Sequence, residues 1–184
     1  MHRALVDRAK QGDEDAFAAL TSATGDRCMA IAYRILRDVD LAEDAVQTAF
    51  VAAWRELRAL RDPERFEAWL HRLLVNACYA EARRRQRRTT SLFALTPDGA
   101  FAADEILSVN NRDQLERGFR RLPPEQRAVL VFHHYLGLTL PEVADRLGIP
   151  VGTAKSRLHY ASAALRAALE ADARLPGISK ERPA

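Results

Sequence analysis

Little in this chain of 184 residues speaks for β-structure. It has no alternating runs of Val, Ile and Thr and no Asn-Gly hairpin signal. No apolar run approaches the roughly 18 residues that a membrane-spanning helix needs, so no membrane insertion of its own is expected. The opening stretch, MHRALVDRAKQGDED, lacks the apolar core of a signal peptide. Cysteine is scarce. Cys28 and Cys78 both lie in apolar helical patterns and read as buried free thiols in a reducing cytoplasm rather than as a disulfide. Neither a Gly-rich phosphate loop nor a nucleophile motif is present. His133 and His134 are neighbours, about 100° apart on a helix, and so do not share a chelating face. His71 and Cys78 do share a face but stand about 10 Å apart along it. No metal site, no cofactor and no catalytic residue is therefore expected, and an enzyme is the least favoured class. Charge of one sign is not in large excess either. The net charge of +3 does not by itself establish a nucleic-acid partner, so the distribution of charge matters more.

What is abundant is helix-forming. Ala and Leu dominate a hydrophobic fraction of 48%, which favours an all-α chain with one or two packed cores. Three stretches separate by composition. Residues 1–88 are helical and dense in apolar positions. Residues 89–110 break the pattern with Thr, Ser, Pro97 and Gly99 and read as a flexible linker, with some order around residues 92–95. Residues 111–175 are helical again, and residues 176–184 read as a disordered tail.

Residues 139–160, TLPEVADRLGIPVGTAKSRLHY, carry the most information. Thr139 and Glu142 have the T-x-x-E spacing of a capping box, and Pro141 sits in the first turn, where its missing N–H is harmless. Val143, Ala144 and Leu147 make an apolar stripe. Gly148 can take the positive φ that ends a helix, with Ile149 packing back on it. Pro150 forces a new start near Val151 or Thr153. On this second helix Ala154, Leu158, Ala161 and Leu165 share a core face, and Lys155, Ser156, His159 and Tyr160 lie on or beside the opposite one. Arg157 falls at the flank, suited to a phosphate contact or an ion pair. Two helices joined in this way are the layout of a helix-turn-helix that places its second helix in a DNA major groove. The competing reading is an amphipathic helix with an ordinary solvated face.

Two earlier helices add to this. One is expected to open at Asp40, with Glu43 completing a capping box. Ala42, Ala45, Val46, Ala49, Phe50, Ala53, Trp54 and Leu57 then recur at three and four residues as a buried stripe. Its outer face shows Asp44, Thr48, Val51, Arg55 and Arg58, with Gln47 at the edge near Trp54. The apolar Val51 on that charged face is a weak hint of a partner surface. The next helix opens at Asp62-Pro63 and buries Phe66, Trp69, Leu70, Leu73, Leu74 and Ala77. Its opposite face aligns Arg72, Asn76, Tyr79 and Arg83, with His71 and Val75 nearby. It runs into RRRQRR at 83–88, which includes Arg84 and has five arginines in six positions. A solvated basic helix end is one reading. The interleaved amide and aromatic groups favour a track for single-stranded or melted DNA, where arginines hold phosphate and Tyr79 stacks on a base.

Taken together, these segments resemble the extracytoplasmic-function (ECF) group of bacterial sigma factors. LAEDAVQTAFVAAW at 41–54 is similar to the family's core-binding helix, with Asp44, Gln47 and Phe50 in D-x-x-Q-x-x-F spacing. AWLHRLLVNACYAEARRR at 68–85 resembles its promoter-melting helix. LPPEQRAVLVFHHYLGLTLPEVADRLGIPVGTAKSRL at 122–158 resembles sigma region 4.

The resemblance implies an alternative sigma factor that is cytoplasmic and not an enzyme. Residues 1–88 would form sigma region 2 and residues 111–175 sigma region 4. Asp44, Gln47 and Phe50, with Val51 and Arg55, would bind the clamp helices of the largest subunit of core RNA polymerase. Region 4 would meet the flap of the second-largest subunit. Arg61 in the loop 58–66, with Arg72, Asn76, Tyr79, Arg83 and Arg84, would open the −10 element of promoter DNA. Thr153, Lys155, Ser156, Arg157 and His159 would contact the −35 element, and the linker would thread toward the active centre. An anti-sigma factor would be the usual regulator. The rival readings are a helix-turn-helix repressor or activator that works without polymerase, and a helical module that sequesters another regulator.

Overall fold

The computed structural model describes residues 3–95 and 111–173, and every regular element among them is helical. The expected linker from residue 96 onward and the expected tail at 176–184 lie outside the described residues. Eight α-helices follow in order: α1 (Arg3–Lys10), α2 (Glu14–Leu36), α3 (Val39–Glu56), α4 (Phe66–Leu95), α5 (Asn111–Arg121), α6 (Pro124–Leu130), α7 (Leu140–Leu147) and α8 (Val151–Ala173). Helix α4 runs through the first residues of the stretch read as linker.

The first unit, α1–α4, is built around small side chains. Ala42, Ala45, Ala49 and Ala53 are each at most 2% exposed, which lets α3 approach α2 and α4 closely. Leu20, Ile31 and Ile35 of α2 and Leu70 and Leu74 of α4 fill the space between them. Asp13 caps α2 through its carboxylate, which accepts from the Ala16 amide at 2.9 Å. The chain enters α4 through a 3-10 turn, Pro63–Arg65, capped by Asp62, which agrees with the Asp-Pro signal.

Two expectations for α3 are corrected. Its cap is Asp38, not Asp40. Asp38 has extended backbone (φ −149°, ψ 126°), and its side chain accepts from the Leu41 amide at 3.1 Å, so the helix begins ahead of the expected box. Trp54, placed in the buried stripe by periodicity, is 37% exposed. Its ring rests on Phe17 at 4.9 Å between centroids on the outer side of the α2–α3 pair.

The second unit packs α5 and α6 against α8, with Leu122, Leu130 and Ala161 in a small core of its own. Gly118 sits where α5 meets α8. A Cβ there would come within 3.1 Å of Ala168 Cβ and 3.3 Å of Leu165 Cδ2.

The two units share a core. Phe132, Val143 and Ala144 belong to the same buried cluster as Leu70, Leu74 and Val75. Phe132 sits in a π-helical turn, Val131–Tyr135, and its ring meets the edge of His71 at 5.5 Å. His71 and Val75, read as lying near an open face of α4, are 2% and 1% exposed. Periodicity places them on one side of α4 but does not reveal that a second unit covers that side.

Arg146 of α7 approaches His71 Nδ1 at 2.8 Å, a contact that requires the ring nitrogen to accept and hence a neutral imidazole. Burial chiefly, then Arg146 and Arg27, pull the His71 pKa down to about 3. A histidine held neutral in the folded state takes up a proton more readily once released. Stability therefore falls as pH drops below the unfolded value near 6.5, and goes on falling toward 3. Between pH 7 and pH 5 the docked fold should lose up to about 2 kcal/mol from this one group. Chemical denaturation at the two pH values should show the loss in the wild type and a smaller one in His71→Gln.

Candidate nucleic-acid and partner interfaces

Three surfaces gather the residues singled out by sequence. The first lies on α2 and α3. Gln47, Phe50, Val51 and Trp54 line a groove of about 520 Å³, together with Glu14, Phe17 and Thr21. Val51 is 45% exposed, Phe50 is half-buried, and Asp44, Gln47 and Arg55 are exposed. Asp44 and Arg55 flank the groove on the same helix without lining it. Phe17 and the outward turn of Trp54 were missed in the sequence. The signal available was the weak one of an apolar Val51 among charges.

The second surface is the arginine-bearing length of α4. Arg72, Asn76, Arg83 and Arg84 are exposed and Tyr79 is half-buried. Several of these groups are engaged. Arg72 Nη2 donates to the Asp145 carbonyl at 2.6 Å, and Arg65 pairs with the Asp145 carboxylate. That hydrogen bond from Arg65 is the main reason the Asp145 carboxyl is held below its ordinary pKa. Arg84 pairs with the buried Glu81 at 2.6 Å. Arg85 reaches Asp38 at 2.9 Å, tying α4 to the cap of α3. Arg61 is exposed and lines a hollow with Arg65, Trp69, Arg72 and Asp145. Burial raises the Tyr79 phenol pKa, while the nearby Arg157 charge works against it. The stripe is thus not the open track expected, because α7 lies over one end of it.

The third surface is the helix-turn-helix. The capping box is present: Thr139 N and Oγ1 both donate to the Glu142 carboxylate, at 2.8 and 2.6 Å. Those bonds hold the Glu142 pKa below its usual value. Gly148 ends α7 in the left-handed region at φ 65°, and the Ile149 amide returns to the Ala144 carbonyl at 3.0 Å. Helix α8 then starts at Val151. Ala154 and Ala161 are fully buried, which orients the rest. Lys155, Ser156, His159 and Tyr160 are exposed, and Thr153 and Arg157 are half-buried at the flank. Ser156 Oγ donates to the Thr153 carbonyl at 3.1 Å, and the His159 and Tyr160 rings meet edge to face at 5.7 Å.

A helix-turn-helix with an exposed basic recognition face, docked on a helical unit that carries an apolar groove and an arginine helix, defines a two-part DNA-binding transcription protein. Residues 20–88 match the family described as Sigma-70 region 2, and residues 112–165 match Sigma-70, region 4. The chain is 34% identical over 154 residues to the ECF RNA polymerase sigma factor SigM of Mycobacterium tuberculosis, covering 84% of this chain and 77% of that one. It is 29% identical over 178 residues to the ECF RNA polymerase sigma factor SigW of Bacillus subtilis, covering 90% and 95%. Among solved structures it is similar to CnrH, determined in complex with the cytosolic domain of CnrY. That likeness has a TM-score of 0.64 at 29% identity, over 92% of this chain and 97% of that one. The chain belongs to the ECF group of RNA polymerase sigma factors, alternative sigma factors that direct transcription.

The turn of the helix-turn-helix has little tolerance. Gly148→Ala would place a Cβ at positive φ and within 3.4 Å of Arg72 Nε. The substitution should cost about 1 kcal/mol or more, read as a shift in the urea midpoint with unchanged slope.

Proposed function

We propose that the groove on α2 and α3 is the seat for core RNA polymerase and that the two other surfaces divide the promoter between them. Gln47, Phe50 and Val51 would meet the clamp helices of the largest subunit, with Asp44 and Arg55 beside them. Region 4 would hold the flap of the second-largest subunit. Lys155, Ser156 and His159 would read the −35 element, with Thr153 and Arg157 on its phosphates. Arg61, Arg72, Asn76, Tyr79, Arg83 and Arg84 would hold the opened −10 strand. The protein would work in the cytoplasm, as a transcription regulator rather than an enzyme, under an anti-sigma factor.

The observation that carries this reading is the groove. Val51 and Trp54 are exposed beside Gln47, while Phe17 and Phe50 form the floor and pack against the core. A repressor that binds its operator alone has no use for such a surface. Base contacts add about 1–3 kcal/mol of discrimination each, so one short helix with three or four of them is weak until a polymerase fixes both units at a set spacing and makes the second contact effectively intramolecular.

In pull-down and run-off transcription with core polymerase, Gln47→Ala combined with Val51→Asp should reduce core capture at least tenfold. Lys155→Ala should keep core capture and lose transcription from a −35-dependent promoter. Full core capture by the folded double variant would refute the assignment of the groove, and unchanged transcription by Lys155→Ala would refute that of the reading face. In gel shifts, the chain alone should bind promoter DNA feebly and the holoenzyme tightly. Tight sequence-specific binding by the chain alone would favour a free-standing helix-turn-helix regulator.

A further inference from the structure

Among the described residues, three buried side-chain atoms have no hydrogen-bond partner: Arg37 Nε, Tyr79 Oη and Arg127 Nε. All three can donate, and all three residues line one cleft of about 840 Å³ between the two units. Arginines dominate it. Arg37, which caps the end of α2, and Arg83 and Arg85 of α4 come from one side, and Arg120, Arg121 and Arg127 from α5 and α6 on the other. Lysine is absent from the lining, and Glu125 is its one carboxylate.

The carboxylates nearby leave part of this charge unmet. Glu116 takes Arg37 and Arg120, and Asp38 takes Arg85. Arg83, Arg121 and Arg127 have no ion-pair partner among the described residues. Arg127 is the extreme case, 8% exposed. Desolvation first, then the Arg37 charge, with Glu125 opposing and Arg85 adding, brings its pKa down to about 10. A buried, unpaired guanidinium beside other guanidinium groups is costly to hold.

We propose that this cleft is a binding site for a small anion that carries several phosphates on one short chain. Guanidinium forks match phosphate oxygens two at a time. Three of them unpaired, beside three that share two carboxylates, call for a high density of negative charge. A polyphosphate supplies that density, whereas an extended peptide spaces its side chains by about 3.3–3.6 Å per residue and alternates their direction. The volume is in the range of roughly 300–1,000 Å³ usual for small-molecule sites. Because the walls come from both units, the anion binds the docked arrangement and by linkage stabilises it. The site is distinct from the α2–α3 groove and from the recognition face of α8, and it shares Tyr79 and Arg83 with the arginine-bearing surface of α4.

Titration calorimetry of the full chain with inorganic tripolyphosphate tests the site. One equivalent should bind, and sulfate at matched ionic strength should not compete. Arg127→Gln should weaken binding at least tenfold while keeping or raising the melting temperature of the ligand-free protein. Arg121→Gln, on the exposed rim, should also weaken it, which keeps the test decisive should Arg127→Gln not fold. Arg88→Gln removes the same charge from α4 beyond the cleft and should change affinity less than twofold. The proposal is overturned by absent binding, by several equivalents per chain, or by an Arg88→Gln loss as large as that of the cleft variants.

Discussion

The neutral His71 ring, wedged between Phe132 and the Arg146 guanidinium, is the contact on which the shape of this protein depends. It fastens the second unit to the middle of α4. With His71 buried, Val75 is covered beside it, α7 comes to rest near Arg72, and Asp145 meets both Arg65 and Arg72. Charge alone would not hold this seam, since exposed ion pairs contribute little. The apolar contact of Phe132, Val143 and Ala144 with the first unit's core supplies the attraction, and the arginine contacts fix the register.

That seam separates the three surfaces by how available they are. No residue of the second unit lines the groove on α2 and α3, and the recognition face of α8 also stays exposed. The arginine length of α4 is partly occupied by α7. The docked arrangement therefore leaves open the surfaces proposed for polymerase and for the −35 element, and engages part of the one proposed for the −10 strand. In this arrangement Arg72 Nη2 is held by the Asp145 carbonyl, so the DNA contact proposed for Arg72 would require that bond to break.

Sequence reported local matters well and long-range ones poorly. The Thr139–Glu142 box, the Gly148 turn and the Asp62-Pro63 entry are legible because each depends on residues within one helical turn. The outward set Lys155, Ser156 and His159 was legible because Ala154 and Ala161 fix the phase of α8. The cap of α3 was misplaced because Asp38 and Asp40 both suit the role and only backbone geometry separates them. Trp54 and His71 went wrong for a shared reason. A helical period states which residues lie on one side, and only the neighbouring element decides whether that side is covered. Arg127 left no signal at all: in PPEQRAVL it looks like any surface arginine.

The alanines of α3 carry a consequence for how such a chain can change over time. Their row at 42, 45, 49 and 53 is buried against the adjacent helices, so a larger side chain there would have to be taken up inside the bundle. The residues facing away, among them Asp44, Gln47 and Val51, bear almost none of that constraint. Folding and recognition are thus written on opposite sides of one helix, and a lineage can revise the second text without disturbing the first.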